Sequence, residues 1–366
     1  MNICYIISSL RPCGPVNQLY YILAGLDRTD FKPYIVTLSG EKSGTEIDKF
    51  RPLVREICNY RFPGSGLLSF GKRVRSFMFE KGISLVHSQG IRPDTVSAIF
   101  SGVPGIFTLR NYPYEDYILK YGYTKGLPAA AWHMGLLKKQ KRVVAVSRGV
   151  ARLVAQHGLQ AEVITNGVDT EKYRPSVDGE KEDLRRSFGL PLGKKVFICA
   201  GAMIKRKRPG DVVEGFIRSG VSENAVLVMA GDGPLLENLK SRYGGRKNVI
   251  FAGEFREMDL LLRAADYFVS ASVSEGLPNA VLEAMACGLP VFVSDIEQHR
   301  EITGTGAGFG KLFPVEDVKA LSAALDIYNK DEYDKKRELC RRTITEKFSA
   351  ERMSQEYTKL YKRTVE

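Results

Sequence analysis

Short β-type runs alternate with helical stretches along almost the whole chain, and no other feature constrains the fold as strongly. The run KVFICA, residues 195–200, restarts a pattern that has already passed once through the first half of the sequence. Strands separated by helical patterns of about 10 to 15 residues indicate βαβ units and a parallel sheet. The chain is therefore predicted to be an α/β protein with two parallel-sheet domains.

The individual elements follow from the same patterns of apolar and turn-forming residues. We predict strands at 2–9, 33–39, 85–88, 105–109, 142–147, 195–200, 225–230, 248–252, 265–272 and 290–294. We predict helices at 16–26, 67–81, 93–101, 128–139, 148–157, 211–219, 278–288 and 350–366. Both halves are interpreted as Rossmann-like domains.

A polar stretch without apolar periodicity, TNGVDTEKYRPSVDGEKED, occupies residues 165–183 between the two patterns. Its turn-forming residues indicate a linker. We place one domain at residues 1–170, a second at 171–349, and an amphipathic C-terminal helix at 350–366 that packs on one of them. The 366 residues are enough for two domains with hydrophobic cores of ordinary size.

Positive charge is concentrated in the first half of the chain. Residues 1–170 contain 22 Lys and Arg against 12 Asp and Glu, whereas the remainder contains 32 against 30. An anionic substrate, an acidic membrane surface or a nucleic acid would each account for such an excess. The excess alone does not choose among them.

Cysteine and hydropathy patterns indicate a reduced, cytosolic protein. The six cysteines are widely scattered and, like the four histidines, show no metal-ligand spacing. No apolar run approaches the length of a transmembrane helix. The N-terminal run is short and has no charged region before it, so we interpret it as a first strand and not as a signal peptide. The glycine-rich run at 304–310 is interpreted as a loop, since no acidic residue follows it at the distance of a dinucleotide site.

Glu275 and Glu283 bracket the segment EGLPNAVLE. Glu275 follows a β-like run, and Glu283 lies about two turns up the helix that comes next. The start of that helix offers backbone N–H groups without intrahelical partners, which favour anions. The arrangement suits sugar hydroxyls and phosphates. The alternative for Glu283 is an ordinary acidic residue on an exposed helix face.

Two loops at predicted strand ends suit a phosphate. Lys205–Arg208 is a basic cluster after the strand at 195–200, as a dense anion such as a nucleotide diphosphate would require. Gly14 lies in the loop after the first strand, where a glycine allows the backbone to approach a phosphate closely. A solvated basic loop and a plain turn glycine are the respective alternatives.

The segment SEGLPNAVLEAMACGLPVFVSD, residues 274–295, resembles the signature of the retaining GT-B glycosyltransferases of family four. In that signature two glutamates separated by seven residues lead into EAMAxGxPV. Other segments resemble the family in the same order: residues 164–175, 201–209, 230–234 and 251–253. The resemblance implies a GT-B fold, in which two Rossmann-like domains face each other across a cleft. The C-terminal domain then binds the donor and the N-terminal domain binds the acceptor.

The resemblance also implies roles for individual residues. Arg206 and Lys207 hold the donor's diphosphate and stabilise its charge as the glycosidic bond breaks. Glu283 accepts hydrogen bonds from the ribose, and Glu275 holds hydroxyls of the transferred sugar. Glu275, Arg206 and Lys207 are therefore the catalytic candidates. The further donor contacts implied are Gly14 and the backbone N–H groups of Leu277, Asn279 and Ala280.

Three positions depart from the family pattern. The family usually has two glycines in the loop after the first strand, where this chain has Cys13 before Gly14. The family often has an arginine after the glycine at position 201, where this chain has Ala202, and Arg206 is the candidate substitute. The family commonly has a histidine after the strand at 105–109, where this chain has Arg110 and Asn111. Arg110 is a candidate to grip an anionic acceptor. The remaining acceptor-side candidates are His87 and His133, for which a structural role is the alternative.

The resemblance implies retaining transfer of a hexosyl or N-acetylhexosaminyl group from a nucleotide-diphosphate sugar, with the leaving phosphate accepting the acceptor's proton. The expected acceptor is a glycan or a lipid-linked sugar in surface polysaccharide or glycolipid biosynthesis. No metal, other cofactor or nucleic acid is expected to take part. The alternatives are a sugar-nucleotide epimerase of the same fold and a non-catalytic sugar-nucleotide-binding protein.

A cytoplasmic location is expected, with peripheral contact to the inner face of the membrane as a further hypothesis. Leu67–Gly82 interleaves aromatic and basic residues at helical spacing, as a membrane-surface helix does. The alternative is a helix that packs its apolar stripe on the sheet.

Overall fold

The chain forms two compact units in a computed structural model. Unit 1 consists of Met1–Gly167 with Ala350–Glu366, and unit 2 consists of Val168–Ser349. The structure describes residues 1–41, 44–60, 66–304, 308–327 and 332–365, with the backbone alone at 67 and 68. Residues 305–307 of the glycine-rich run lie outside the described residues.

The described residues of unit 1 form a parallel sheet of seven strands. These are β1 (Asn2–Ile7), β2 (Lys32–Thr37), β3 (Glu56–Asn59), β4 (Leu85–Gln89), β5 (Gly105–Leu109), β6 (Val143–Ala145) and β7 (Glu162–Val163). Their order across the sheet is β3-β2-β1-β4-β5-β6-β7. The order reverses between β1 and β4, and ligands of parallel α/β sheets bind at such a topological switch point.

Helices cover both faces of this sheet, as a parallel sheet requires. Along β1, Ile3 and Tyr5 enter one apolar cluster, while Cys4 and Ile6 enter the other, because successive side chains of a strand point to opposite faces. The helices are α1 (Gly14–Ala24), α2 (Ile47–Phe50), α3 (Leu67–Glu80), α4 (Ile91–Phe100), α5 (Pro113–Tyr121), α6 (Tyr123–Leu137) and α7 (Arg148–Ala155).

The described residues of unit 2 form a second parallel sheet, of six strands. These are β8 (Lys195–Ala200), β9 (Ala225–Ala230), β10 (Val249–Gly253), β11 (Tyr267–Ser270), β12 (Val291–Ser294) and β13 (Gly310–Phe313), in the order β10-β9-β8-β11-β12-β13. The switch point therefore lies between β8 and β11. The helices are α8 (Glu180–Ser187), α9 (Pro209–Arg218), α10 (Leu236–Tyr243), α11 (Met258–Ala264), α12 (Asn279–Ala286), α13 (Glu297–Thr303), α14 (Val318–Asp326) and α15 (Tyr333–Lys347).

The last helix, α16 (Ala350–Val365), returns to unit 1. Its buried residues Met353, Tyr357, Leu360 and Tyr361 follow helical spacing and join the apolar cluster that also holds α1. Ser354 Oγ donates a hydrogen bond of 2.9 Å to the Ile22 carbonyl. A Cβ at Gly25 would lie only 2.5 Å from Ser354 Oγ, so the glycine permits the close approach of the two helices.

The alternating pattern predicted most of these elements. The strands at 105–109, 195–200 and 225–230 have the predicted bounds. The pattern did not predict β3, β7 and β13, which are all edge strands and are only two to four residues long. It also missed the helices α2, α5, α8, α10, α11, α13, α14 and α15, and α8 begins inside the stretch interpreted as a linker.

Helix α3 packs against the sheet of unit 1, as the second of the two interpretations of Leu67–Gly82 required. Phe70, Val74 and Phe77 are buried in an apolar cluster, whereas Phe79 is 88% exposed. Over the described ranges, no helix combines the length and the apolar character needed to cross a membrane.

Candidate active site

The candidate site of unit 2 lies at its topological switch point. Arg206 and Lys207 belong to a short 3-10 turn after β8, and Glu275 lies in the loop after β11. Since β8 and β11 are adjacent parallel strands, their carboxyl ends meet at one edge of the sheet. The backbone N–H of Val273 donates to the carbonyl of Arg206 at 2.9 Å, which ties the two loops together.

Glu275 is the buried centre of an ionic cluster, here called the Glu275 cluster, that also contains Arg206, Lys207 and Ser272. Arg206 Nη1 lies 2.6 Å from Glu275 Oε2, and Lys207 Nζ lies 3.0 Å from Oε1. Ser272 Oγ donates to Oε1 at 2.8 Å. Arg206 Nη1 also donates to the carbonyl of Ser274. The structure therefore brings three of the predicted site residues together within one unit.

The two cations determine the charge of Glu275. Burial alone would raise the pKa of the Glu275 carboxyl, but Lys207 and Arg206 together hold that pKa well below its usual range. The carboxylate is thus ionised at any physiological pH. An ammonium has three N–H donors and a guanidinium five, so both cations can contact an anion while they hold Glu275.

A glycine at the end of β9 allows the loops of this edge to approach each other. Gly231 has a φ of 142°, which L side chains rarely adopt. A Cβ at this position would lie 1.9 Å from the carbonyl oxygen of Gly201. Only glycine fits between the loop after β8 and the loop after β9.

Glu283, on α12, is half-buried and differs from Glu275 in its charge state. Burial raises the pKa of Glu283 to about 7, although Lys172, Lys207 and a hydrogen bond from Tyr173 oppose this rise. Lys207 acts electrostatically on both carboxylates, so Glu283 lies near the Glu275 cluster. The exposed-face alternative for Glu283 does not hold.

The loop before α12 places three further donor candidates. Leu277 is buried, while Asn279 and Ala280 are partly exposed in the first turn of the helix. Pro278 occupies the cap position and makes no side-chain cap. The roles proposed for the backbone N–H groups of these residues stay predictions.

His299 is a member of this region that the sequence did not reveal. It is fully buried, and its Nδ1 donates to the Ser294 carbonyl at 2.6 Å. Burial lowers the pKa of His299 to about 4, so the ring is neutral, and Glu275 and Lys207 are among the charges that act on it. Among the described residues its Nε2 has no hydrogen-bond partner. Its only sequence signal is its position shortly after β12.

The switch point of unit 1 carries the other predicted residues. Gly14 begins α1, directly after the loop that follows β1. Arg110 and Asn111 follow β5 directly. Asn111 Nδ2 donates to Asp116 at 3.4 Å, whereas Arg110 donates to two side-chain amides. The sequence did not single out the two residues that provide those amides, Gln89 and Asn166.

The two acceptor-side histidines are buried and both of their ring nitrogens are hydrogen-bonded. His87 contacts the hydroxyls of Tyr361 and Thr108, each at 2.8 Å. His133 contacts Tyr117 and Asp94, at 2.7 and 2.8 Å. Burial lowers the pKa of His87 to about 3, so its ring is neutral. These contacts support the structural alternative for both residues.

Family models match both units of the chain. The model described as glycosyl transferases group 1 matches residues 180–347, and the model described as Glycosyltransferase Family 4 matches residues 13–172.

The chain belongs to the glycosyl transferases of group 1.

Curated relatives of this group 1 chain include two bacterial transferases. The chain is 34% identical over 146 residues to an Escherichia coli UDP-Gal:α-D-GlcNAc-diphosphoundecaprenol α-1,3-galactosyltransferase, covering 38% of this chain and 37% of the relative. It is 29% identical over 210 residues to the lipopolysaccharide core biosynthesis mannosyltransferase LpsB of Rhizobium meliloti, covering 55% and 58%. The matches thus span less than two thirds of the length of these relatives.

The fold of this group 1 chain is similar to that of a solved structure, Anabaena HepE in complex with UDP and glucose. The TM-score is 0.84 at 17% identity, over 99% of this chain and all of the other. Together with the two parallel sheets, this likeness confirms the predicted GT-B fold class. The family predicted from residues 274–295 is confirmed as well.

Proposed function

We propose that the protein is a retaining glycosyltransferase that uses a nucleotide-diphosphate sugar as its donor. It moves a hexosyl or N-acetylhexosaminyl group to a glycan or lipid-linked acceptor in the biosynthesis of a surface polysaccharide or glycolipid. The donor binds to unit 2 and the acceptor to unit 1. The Glu275 cluster at the switch point of unit 2 is the observation that carries this proposal.

The cluster supplies both kinds of contact that a sugar nucleotide needs. Arg206 and Lys207 present fixed positive charge where a diphosphate would lie, and Glu275 presents an ionised carboxylate that accepts hydrogen bonds from sugar hydroxyls. Glu283 provides a second acceptor about one turn along α12, which suits the ribose. Gly14 and the first turn of α12 provide backbone contacts to the donor.

In the proposed mechanism the protein stabilises the leaving group and does not attack the sugar. Glu275 is held by two cations and a serine, so it is poorly placed to leave them and act as a nucleophile. As the glycosidic bond breaks, negative charge grows on the diphosphate, and Arg206 and Lys207 stabilise it. The leaving phosphate takes the proton of the acceptor hydroxyl, which attacks from the same face. No metal or other cofactor is needed for this step.

Two alternatives use the same donor site. A sugar-nucleotide epimerase acts on the donor alone, and a non-catalytic binding protein releases it unchanged. The E. coli and R. meliloti relatives are named as transferases, which favours transfer.

A transfer assay followed by NMR separates the three. The purified protein is incubated with a sugar nucleotide and candidate acceptors, and the anomeric proton of the product is observed. We expect a new glycoside with the anomeric configuration of the donor. Inverted configuration would exclude the retaining mechanism, and epimerised or untouched donor would support one of the alternatives.

The donor can be narrowed by thermal unfolding with a panel of sugar nucleotides. A ligand at 100 times its dissociation constant stabilises the folded protein by about 2.7 kcal/mol. UDP-glucose is a reasonable first member, because HepE is seen with UDP and glucose. We expect one base and one sugar to give the largest shift in melting temperature.

A membrane-bound acceptor would require contact with the bilayer surface, at the inner face of the membrane in a cytoplasmic protein. Phe79 is exposed on α3, beside the exposed basic residues Lys72 and Arg75. Such a surface favours anionic lipid. We expect the protein to float with anionic liposomes and Phe79→Ser to reduce the floated fraction. Absence of flotation would remove membrane contact from the proposal.

A further inference from the structure

Arg110 lies beside the switch point of unit 1, where its guanidinium is anchored by neutral side chains. Its Nε donates to Gln89 Oε1 at 2.7 Å. The amide nitrogen of the same Gln89 donates to the carbonyl of Pro15 at 3.2 Å, in the first turn of α1. Gln89 therefore links the guanidinium to the start of that helix.

A second amide fixes the other side of the guanidinium. Arg110 Nη1 donates to Asn166 Oδ1 at 2.8 Å, and Asn166 is buried. The carbonyl of the next residue, Gly167, accepts from the Gln18 side-chain amide on α1 at 2.8 Å. The Gly167 N–H donates to Gln18 Oε1 at 2.9 Å. Both anchors of Arg110 thus lead back to α1, so the guanidinium is held in one orientation.

The charge of Arg110 is not compensated within the described part of the chain. Burial lowers the pKa of Arg110, and the groups that oppose this effect are the hydroxyls of Tyr357 and Tyr361 and the thiol of Cys13. No carboxylate is among them. Nη2 is buried and has no hydrogen-bond partner there. A partly buried cation that has only neutral partners and one buried nitrogen without a partner is costly, and such groups are concentrated at functional sites.

The start of α1 adds to the same positive region. Cys13 precedes the helix in an extended conformation and makes no side-chain cap, so the partial positive charge of the helix end is unopposed by a capping oxygen. Arg110 and Lys120 both act on the Cys13 thiol, which places a second cation near this loop, opposed by Glu46.

We propose that the guanidinium of Arg110 forms an oxyanion site in unit 1 that takes a phosphate or carboxylate group of an anionic acceptor. The donor's diphosphate is assigned to Arg206 and Lys207 in unit 2, and the basic excess of the chain lies within residues 1–170. The assignment to the acceptor rests on the proposed function. The oxyanion site itself rests on the anchored, uncompensated guanidinium.

Phosphorus NMR of inorganic phosphate tests the site. The titration uses the full chain with Arg206→Gln and Lys207→Gln, which removes the anion site of unit 2. We expect specific broadening of the phosphate signal and at least about tenfold weaker binding when Arg110→Gln is added. Arg110→Lys keeps the positive charge but lacks the planar guanidinium, so its phosphate affinity should lie between that of Arg110 and that of Arg110→Gln. Arg142→Gln, an exposed arginine of the same unit, should bind as its parent does.

Phosphate binding that is equal with and without Arg110→Gln, in variants with the same melting temperature, would overturn the proposal. Competition identifies the anion: displacement of phosphate by glucuronate but not by glucose indicates a carboxylate-bearing acceptor. Resistance to glucuronate indicates a phosphorylated one.

Calorimetry with UDP-glucose separates this proposal from the proposed function. Arg110→Gln in the otherwise native chain should bind UDP-glucose as the native protein does. Weaker binding would make the donor the ligand of Arg110 and overturn the assignment to the acceptor. If the native protein binds none of the sugar nucleotides of the panel, the proposed function fails, whereas the phosphate titration still decides on the oxyanion site.

Discussion

The two switch points have the same position in their sheets but treat charge in opposite ways. In unit 2 a buried carboxylate, Glu275, holds two cations at 2.6 and 3.0 Å. In unit 1 a single cation, Arg110, is held by two neutral amides. Around Arg110, the buried groups of the described chain, such as His87 and Thr108, form a hydrogen-bonded network without formal charge.

This difference shows that the topology provides the place for a ligand, while the side chains decide what the place binds. The cluster of unit 2 already pairs its two cations with one carboxylate, so a donor joins existing ion pairs and meets one excess positive charge. The site of unit 1 has a positive charge that only an anion would complete. Variants that remove one charge at a time test this contrast.

The largest effect is expected from removing the carboxylate that organises unit 2. Glu275→Ala should lower the free energy of unfolding by about 3–5 kcal/mol, because two partly buried cations lose the buried carboxylate that pairs with both of them. Thermal or urea unfolding of the ligand-free protein measures this.

Asp183→Ala is the matched control for that variant. Asp183 forms an ion pair with Arg186 at the same distance of 2.6 Å, but on the exposed surface of α8. Its removal should lower the free energy of unfolding by no more than about 1 kcal/mol. Equal costs for the two variants would show that the Glu275 cluster is not a buried, interdependent set.

The second effect concerns the cation shared by both glutamates. Lys207→Ala should reduce turnover by more than about 100-fold, the scale of losing one strong contact to the transition state. The NMR transfer assay measures this. Lys194→Ala removes an exposed lysine near the opposite end of β8 and should leave turnover unchanged. Near-native turnover of Lys207→Ala would place the phosphate site elsewhere.

A third effect follows from the raised pKa of Glu283. If the ionised carboxylate accepts hydrogen bonds from the ribose, donor binding requires loss of a proton with a pKa of about 7. The affinity for UDP-glucose, whose diphosphate does not titrate in this range, should then rise about 30-fold between pH 5.5 and 8. Calorimetry at a series of pH values measures this rise. Glu283→Gln should bind more weakly at pH 8 and show no such rise.

The same residue makes a prediction about stability that needs no ligand. Unfolded Glu283 loses its proton near its ordinary pKa of 4.5, whereas folded Glu283 keeps it up to about 7. The folded state therefore binds more protons in this window, and the contribution of Glu283 to stability falls as the pH rises through it. Compared with native protein, Glu283→Gln should lose less stability between pH 4.5 and 7. If the free energies of unfolding of the native protein and of Glu283→Gln changed equally with pH over that window, the raised pKa of Glu283 would be contradicted.

The sequence predicted those parts of the site that depend on local patterns. Glu275 and the basic loop could be placed together because both follow strands, and carboxyl ends of parallel strands share an edge. Ser272 lies only three residues from Glu275, in the strand-end run SASVS, but nothing in that run indicates that its hydroxyl reaches the carboxylate.

Contacts between distant segments could not be predicted in this way. Arg110 meets Asn166, which is 56 residues further along the chain, because of the order and register of the strands between them. His299 is brought near Glu275 by the packing of α13, and its spacing from other polar residues carries no pattern. Single-sequence periodicity contains no information on either contact.

The smallest effect is expected in the neutral network of unit 1. Tyr361→Phe removes the hydroxyl that contacts His87 Nδ1 at 2.8 Å, and it leaves the ring nitrogen buried without that partner. An unsatisfied buried polar atom costs about 1–3 kcal/mol. We expect the lower part of this range, since the ring of Tyr361 still packs in the same apolar cluster. Chemical unfolding measures the loss, with Tyr123→Phe, at a side chain that is 68% exposed, as the control. If Tyr361→Phe lowered the free energy of unfolding as much as Glu275→Ala does, the neutral network of unit 1 would contribute as much stability as the ionic cluster of unit 2. The two switch points would then differ in charge and not in their contribution to stability.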